Sequence, residues 1–503
     1  MNPPQDTLSY PISSYTSLAD HLEEKPDEPP FFKLPLNTLW DGFKTISEAT
    51  LSTSLSLIYI YAVNLISLAF IGQLEDPSMI GGLGLGFVCS NCGAYVLISS
   101  INQGVNVLAA QAFGANKHSL VSLSYHRGLF ILLILMIPIL IFLWFSQPLL
   151  IFFGIGPLTA QYAWEYILSA FPSFLFYGVF DCTKSYLYAQ NIFKPVLFTQ
   201  TATTIFHFLW SWLFIYQLGL GPSGAGIAKC IFEFSNMLII MIYIYASKCC
   251  ASNWIPPTKI QWRRKVMKWN GMKIFLGTVI PIAALLFLDM ACYEIFTMLA
   301  GQFDDYQLAI HVAIANTVTL YYSVPFGISI SVMTYVANAM GKSQPNAAKN
   351  YTYIGVILNG IVTVGFVLLL LLCKDAWANL FSTNNVMKNL LLDVLKIYFI
   401  FIFVDGVQVV LSGTLKGIGK QTAATIGLFI SYYVLAIPFI YFLAFKLDLK
   451  VKGIWYGFLT GIFILFVMYV VLLATSNFRK QAKEVQKSLI LASTRETISN
   501  EPL

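Results

Sequence analysis

Apolar residues along this chain do not alternate with polar ones. They run in blocks of about twenty, separated by short polar breaks. Twelve such blocks predict twelve spans, at 50–72, 81–103, 128–147, 164–186, 196–216, 224–246, 275–299, 307–331, 353–373, 393–413, 423–445 and 453–475. A helix needs ~20 apolar residues to cross a bilayer, whereas a membrane strand needs only about ten with alternating faces. Backbone in lipid must satisfy its own hydrogen bonds, so unbroken runs of this length predict helices.

The longest polar break, 247–272, divides the blocks into two sets of six, and the sets repeat one another. Gly72-Gln73-Leu74-Glu75-Asp76 after the first block matches Gly301-Gln302-Phe303-Asp304-Asp305 after the seventh, at an offset of 229. Gln111-Ala112-Phe113-Gly114 matches Asn338-Ala339-Met340-Gly341 at 227, and Leu218-Gly219-Leu220…Gly224 matches Leu447-Asp448-Leu449…Gly453 at 229. Six spans per repeat is an even number, so both halves insert with one orientation, related by an axis along the membrane normal. Carriers built this way place substrate between the repeats and rock one bundle against the other.

Composition agrees. Of 503 residues, 57% are hydrophobic and 11% are charged, against about 25% charged in soluble domains. Such a chain cannot clothe a water-facing surface, which excludes a soluble enzyme, a secreted disulfide scaffold and a nucleic-acid binder. The predicted fold is an all-α membrane protein, with twelve transmembrane helices in two pseudo-symmetric six-helix bundles. The expected organisation is a disordered arm (1–45), an N-terminal lobe (46–247), a basic linker (248–272), a C-terminal lobe (273–476) and a tail (477–503). The arm's Pro-, Ser- and acid-rich start lacks the apolar core of a signal peptide.

The placement of Lys and Arg orients the chain. Under this topology 23 fall on the side of the termini and 7 on the other, with Lys184 and Lys416 counted on the first side and Lys229 on the second. The positive-inside rule then puts both termini in the cytoplasm. Asn350-Tyr351-Thr352 fits the glycosylation pattern but falls on the cytoplasmic side, so no sugar is expected. Cysteines lie mostly inside apolar runs, and Cys89-x-x-Cys92 has no second pair, so neither a metal nor a cofactor is expected.

Ionisable groups inside spans cost about 2.5–3.5 kcal/mol or more at mid-membrane, which makes them functional candidates. The N-terminal half offers Asp181 and Glu233. The C-terminal half offers Asp289, Glu294 and Asp405, while the first span has no acid. Asp289 and Glu294, five residues apart, differ by about 140° around a helix and about 7.5 Å along it, so they cannot face the same way. Desolvation disfavours the charged form of a carboxyl, which suits a group that exchanges protons. His207 and His311 read as interhelical hydrogen-bond donors with a relay as the alternative. Pro281, Pro325 and Pro438 mark helix breaks that can act as hinges. Tyr293, Tyr321 and Tyr322 offer aromatic faces to an organic cation. Neither a His-Glu-x-x-His nor a Walker loop occurs, which removes the main support for a metalloprotease or an ATP-driven pump.

On these residues the chain resembles the multidrug and toxin extrusion (MATE) family, its eukaryotic branch above all. Ala110-Gln111-Ala112-Phe113-Gly114-Ala115 is similar to the family's Gly-Gln-Ala-x-Gly-Ala. Pro281 with Leu288-Asp289-Met290-Ala291-Cys292-Tyr293-Glu294 resembles its Pro followed by Leu-Glu-x-x-x-x-Glu, with Asp289 in place of Glu. Asn316-Thr317 through Pro325-Phe326-Gly327 looks like the plant Asn-Thr…Pro-Phe-Gly stretch. Asp405-Gly406-Val407-Gln408 through Leu411-Ser412-Gly413 and Lys416-Gly417-Ile418-Gly419-Lys420-Gln421 resembles the plant Asp-x-x-Gln-x-x-Leu-Ser-Gly…Arg-Gly-x-Gly-x-Gln, with Lys416 for Arg.

The resemblance implies a non-enzymatic antiporter that exports small organic compounds, cations foremost, against H⁺, with Na⁺ as the alternative ion. Asp289, Glu294 and Asp405 become the proton-coupling set. Candidate substrate contacts are Tyr293, Asn316, Tyr322, Gln408 and Asp181, the last standing where relatives tend to have Gln. A monomer in the plasma or vacuolar membrane is expected. The alternatives are a flippase for a lipid-linked headgroup, disfavoured because the embedded ionisable groups read as mainly acidic, and a membrane sensor without transport.

Overall fold

The computed structural model describes residues 27–250, 253–255, 260, 262–381 and 385–498. All twelve predicted blocks are helical. In the N-terminal lobe α1 is Leu36–Gly72, α2 Pro77–Gly114, α3 His118–Trp144 and α6 Gly221–Ser247. The fourth block is two helices, Pro157–Ser169 and Phe171–Ala189, taken together as α4 and broken at Ala170. Pro172, in the first turn of the second piece, supplies no N–H to a continuous ladder. The fifth, α5, is Lys194–Ser211 closed by a wide turn, Trp212–Gln217.

The C-terminal lobe comprises α7 (Trp269–Ala300), α8 (Asp305–Gly341), α9 (Pro345–Phe381), α10 (Asn385–Gly417), α11 (Gln421–Lys446) and α12 (Lys450–Thr475). A further helix, α13 (Phe478–Ile498), follows. Ten helices among the described residues are long and apolar enough to cross a membrane by themselves. The other two are α4, which is split, and α5, whose Thr, Gln and His residues lower its hydropathy. Large apolar side chains point outward, among them Leu65, Ile137, Phe198 and Leu372. In water this would be a liability, but against lipid tails it is the expected surface.

The repeat seen in the sequence reappears as backbone geometry. Asp76 accepts from Ser78 N at 2.8 Å to cap the second part of the hairpin after α1, and Asp304 accepts from Gln307 N at 3.0 Å after α7. Left-handed residues end helices at matching places: Asn116 with Ser343, Asn191 with Gly419, and Gly219 with Asp448. Wide turns close both α5 (Trp212–Gln217) and α11 (Phe442–Lys446).

One boundary moves. Helix α1 begins at Leu36, so residues 36–45, assigned to the arm by composition, belong to the first helix; Pro35 at the N-cap and the apolar Leu36, Leu39 and Trp40 start it. Residues 27–29 also hold a fixed place. Asp27 accepts from Asn346 N at 3.0 Å, capping α9, and Glu28 accepts from the side chain of Asn350, Nδ2, at 2.9 Å. Asn350 is therefore buried in the protein. The expectation of disorder for 1–26 lies outside the described residues.

The lobes meet along α1, α2, α7 and α8. At the terminal side of this seam the two matched glycines lie against each other's helices. A Cβ on Gly114 would stand 2.1 Å from Asn338 O, and one on Gly341 would stand 2.1 Å from Gln111 O. Only a bare Cα lets the backbones come so close, as between membrane helices generally. Towards the middle of the seam Asn106 and Thr334 exchange hydrogen bonds at 2.9 and 3.2 Å, and Thr53 Oγ1 donates to Gly327 O at 2.8 Å.

Gly114→Ala should destabilise the purified protein by about 1–3 kcal/mol through overpacking of this seam. Gly84→Ala, whose added methyl meets nothing within 4 Å, should be neutral or stabilising by about 0.4–1 kcal/mol. Thermal unfolding of both variants in detergent checks the contrast, and equal melting temperatures would contradict the tight packing.

Candidate functional site

Two polar groupings lie beside the seam. The first is in the C-terminal lobe, between α7, α8 and α10. Asp289, from α7, is 8% exposed and accepts a hydrogen bond from Tyr322 Oη at 3.2 Å. Asp405, from α10, is 1% exposed; its Oδ1 accepts from Gln408 Nε2 at 3.2 Å. Its Oδ2 has no hydrogen-bond partner among the described residues. The two carboxyls are within electrostatic range of each other and of Tyr293. Lys416, in the last turn of α10, faces Asp289 across a narrow cavity also lined by Tyr322, Gln408 and Ser412.

Lys416 ties this cluster to the other lobe. Its ammonium, 1% exposed, donates to Gln103 Oε1 of α2 at 3.0 Å and lies 5.9 Å from the Phe326 ring. Next to it Gln111 Nε2 donates to Gly417 O at 3.1 Å.

The second grouping lines a cavity of ≈ 280 Å³ in the N-terminal lobe, open along the seam. Its polar wall carries two ion pairs: Asp181–Lys184 at 2.5 Å on α4 and Lys229–Glu233 at 3.1 Å on α6. Asn102 Nδ2 donates to Asp181 Oδ2 at 2.8 Å, and Ser99 and Tyr177 share a hydrogen bond at 2.6 Å. The wide turn Asn91–Tyr95 in α2 turns Asn91 and Tyr95 towards the space. Such single-turn bulges in helices often mark functional sites. Leu286 and Phe326 line both cavities and so form the wall between them, while Gln103 touches this one and the Lys416 ammonium.

Of the residues singled out from the sequence, Asp289, Asp405, Tyr322 and Gln408 come together, with Tyr293 beside them and packed edge-on to Phe458 at 5.0 Å. Asp181 lies in the other cavity. Two do not join. Glu294 is exposed and turned from Asp289 as the helical angle requires, with Cys92 of the N-terminal lobe as its electrostatic neighbour. Asn316 is exposed too: it precedes Tyr322 by six residues, which puts it about 240° round α8. Tyr321 is a structural group, donating to Ile402 O at 3.2 Å and bonded to Thr363 Oγ1 at 2.6 Å. The histidines are interhelical bridges: His207 Nε2 lies 3.1 Å from Ser67 Oγ of α1, and His311 Nε2 lies 3.2 Å from Thr297 Oγ1 of α7.

The sequence reading overlooked the lysines. Lys184, Lys229 and Lys416 are embedded in the protein rather than placed in loops. The embedded charge is thus mixed, and the argument that mainly acidic spans disfavour an anionic headgroup loses its force. For two of the three a signal was present. Asp181 and Lys184 are three residues apart, Lys229 and Glu233 four, the spacings at which helical side chains pair. Gln103 and Lys416 are too far apart in sequence for any local pattern to join them.

Comparison with known proteins agrees with this architecture. The MatE family model matches residues 53–213 and 281–442, one stretch in each lobe. Protein DETOXIFICATION 16 of Arabidopsis thaliana is 26% identical over 438 residues, covering 86% of this chain and 88% of its own. Multidrug and toxin extrusion protein 1 of Danio rerio is 24% identical over 430 residues, covering 86% of this chain and 72% of its own. The crystal structure of the eukaryotic MATE transporter AtDTX14 matches with a TM-score of 0.81 at 19% identity, over 90% of this chain and 99% of that one, and shares its fold of twelve helices in two bundles. With a match in each six-helix lobe and relatives aligned over most of their length, the chain belongs to the MatE family of multi-pass membrane transporters for multidrug and toxin extrusion.

Proposed function

We propose that this protein is a secondary active antiporter that exports small organic compounds in exchange for protons. The observation that carries the reading is the place of Lys416, which faces Asp289 across a narrow cavity and donates to Gln103 of the opposite lobe. It joins a group of buried carboxyls to the surface along which the lobes part.

The mechanism follows from charge balance. With Asp289 and Asp405 ionised, the cluster holds two carboxylates against one ammonium. Out of water a charge is tolerated only with counter-charge and donors close by, so Lys416 is held on the acid side. Protonation at the free Oδ2 of Asp405, or of Asp289 with its Tyr322 bond rearranged, removes that hold. The Lys416–Gln103 contact and the packing of Phe326 then change together, and Phe326 lines the substrate cavity. Pro281, eight residues before Asp289 within α7, leaves a weakened turn at which the helix can bend.

The seam is closed at the end that carries the termini, where Gly114 and Gly341 meet. If the termini are cytoplasmic, as the distribution of Lys and Arg argues, this arrangement is outward-facing. A membrane potential adds about 2.3 kcal/mol per charge per 100 mV to a cycle that carries net charge. Glu294 is kept as a peripheral member of the coupling set, and Na⁺ is the alternative coupling ion. The plasma membrane and the vacuolar membrane are the two sites proposed.

Asp405→Asn should fold and reach the membrane yet lose exchange driven by a pH gradient in proteoliposomes; full pH-driven exchange by that variant would disprove the assignment. Replacing the imposed pH gradient with a Na⁺ gradient on the same vesicles separates the two ions. Lys416→Met should lower exchange by at least tenfold, while Lys416→Arg should keep most of it, because a guanidinium still reaches a carboxylate and an amide oxygen. Equal rates for both Lys416 variants would remove the coupling role given to this residue.

A further inference from the structure

The larger cavity holds an arrangement of charge that proton coupling does not use. Asp181 and Lys184 stand one turn apart on α4, Lys229 and Glu233 one turn apart on α6, and all four line the same space. Their side chains are 13%, 5%, 4% and 2% exposed for Lys184, Asp181, Lys229 and Glu233. Lys184 and Glu233 also interact across the cavity, and Tyr177 lies within electrostatic range of Asp181, Lys184 and Glu233. The Lys229 ammonium sits 5.3 Å from the ring centre of Tyr95, a second aromatic wall.

The formal charge of the four groups is zero, and each is already paired. A lone organic cation finds no free carboxylate here. To be held by Glu233 or Asp181 it must displace an ammonium and leave that ammonium unpaired away from water, which is strongly unfavourable. A lone anion meets the mirror problem. A molecule carrying both charges can instead exchange with a pair: its anionic group takes the lysine, its cationic group takes the acid, and every charge stays compensated. The aromatic faces of Tyr95 and Tyr177 favour a planar or quaternary cationic part.

We propose that the substrates of this protein are zwitterionic organic molecules, recognised by exchange with the Asp181–Lys184 and Lys229–Glu233 ion pairs. The proposal rests on the transport reading of the same cavity and replaces simple cations as its substrate class.

The test uses the purified full-length chain and three probes with one fluorophore: Nε-dansyl-lysine, a zwitterion; its methyl ester, a cation; and its Nα-acetyl derivative, an anion. Fluorescence titration without any ion gradient should show the zwitterion binding at least tenfold more tightly than either relative. Lys229→Gln frees Glu233 and should shift preference towards the methyl ester. Glu233→Gln frees Lys229 and should shift it towards the acetyl derivative. Lys229→Glu combined with Glu233→Lys keeps a pair in place and should retain the zwitterion preference, which guards against variants that merely misfold. Equal affinity for the three probes, tighter binding of the ester to the unmodified protein, or the absence of saturable zwitterion binding overturns the proposal. Because binding is read without a gradient, such a result leaves proton antiport standing, whereas loss of pH-driven exchange with the zwitterion preference intact would count against antiport alone.

Discussion

A charge removed from water must be met by a counter-charge or by hydrogen-bonding groups close by, and nearly everything specific about this protein follows from that constraint acting inside a bilayer. The scaffold itself is cheap to specify, because twelve apolar helices satisfy their own backbones. The ionisable groups are not. Asp181 with Lys184 and Lys229 with Glu233 meet the constraint within a single helix. Asp289, Asp405 and Lys416 meet it only by assembling α7, α8 and α10 and by reaching Gln103 in the other lobe. The first arrangement is indifferent to how the lobes sit. The second depends on it, and the proposed proton coupling rests on that dependence.

The duplicated architecture supplies the moving parts. Gly114 and Gly341 each press against backbone of the opposite half, so the two halves meet there in matching ways. Around that contact the halves have diverged in chemistry while keeping their backbones alike. The N-terminal half has the larger cavity and balanced ion pairs. The C-terminal half has the narrow space and the carboxyl whose Oδ2 is left free. In the proposed cycle these two spaces serve cargo and ion separately, and Leu286, Phe326 and Lys416 join them, so that occupation of one is sensed by the other without direct contact.

Much of the fold was legible in order of residues. Run length gave twelve helices, and matching turns such as Gln111–Gly114 and Asn338–Gly341 gave two related lobes. The exceptions were local: the break before Pro172 divides α4, and α1 starts ten residues before the boundary placed by composition. The site was legible in part. Asp289 and Asp405 stood out because carboxyls are costly in lipid, and the five-residue spacing already showed that Asp289 and Glu294 could not face the same way. Asn316 falls outside the cluster, since a motif carries no helical angle, and the embedded lysines were counted with the loop charges because they fall at or near the ends of the predicted spans.

The sequence by itself therefore determined what each segment is: a helix of membrane length, bearing acids that needed a reason to be there. It determined these things because hydrophobic length, helical spacing and the cost of burying charge are all local. Only the tertiary structure decided which charge answers which, above all that Lys416 would lie between Asp289 and Gln103. That choice belongs to the packing of helices from two lobes, 313 residues apart along the chain, where no periodicity or propensity reaches.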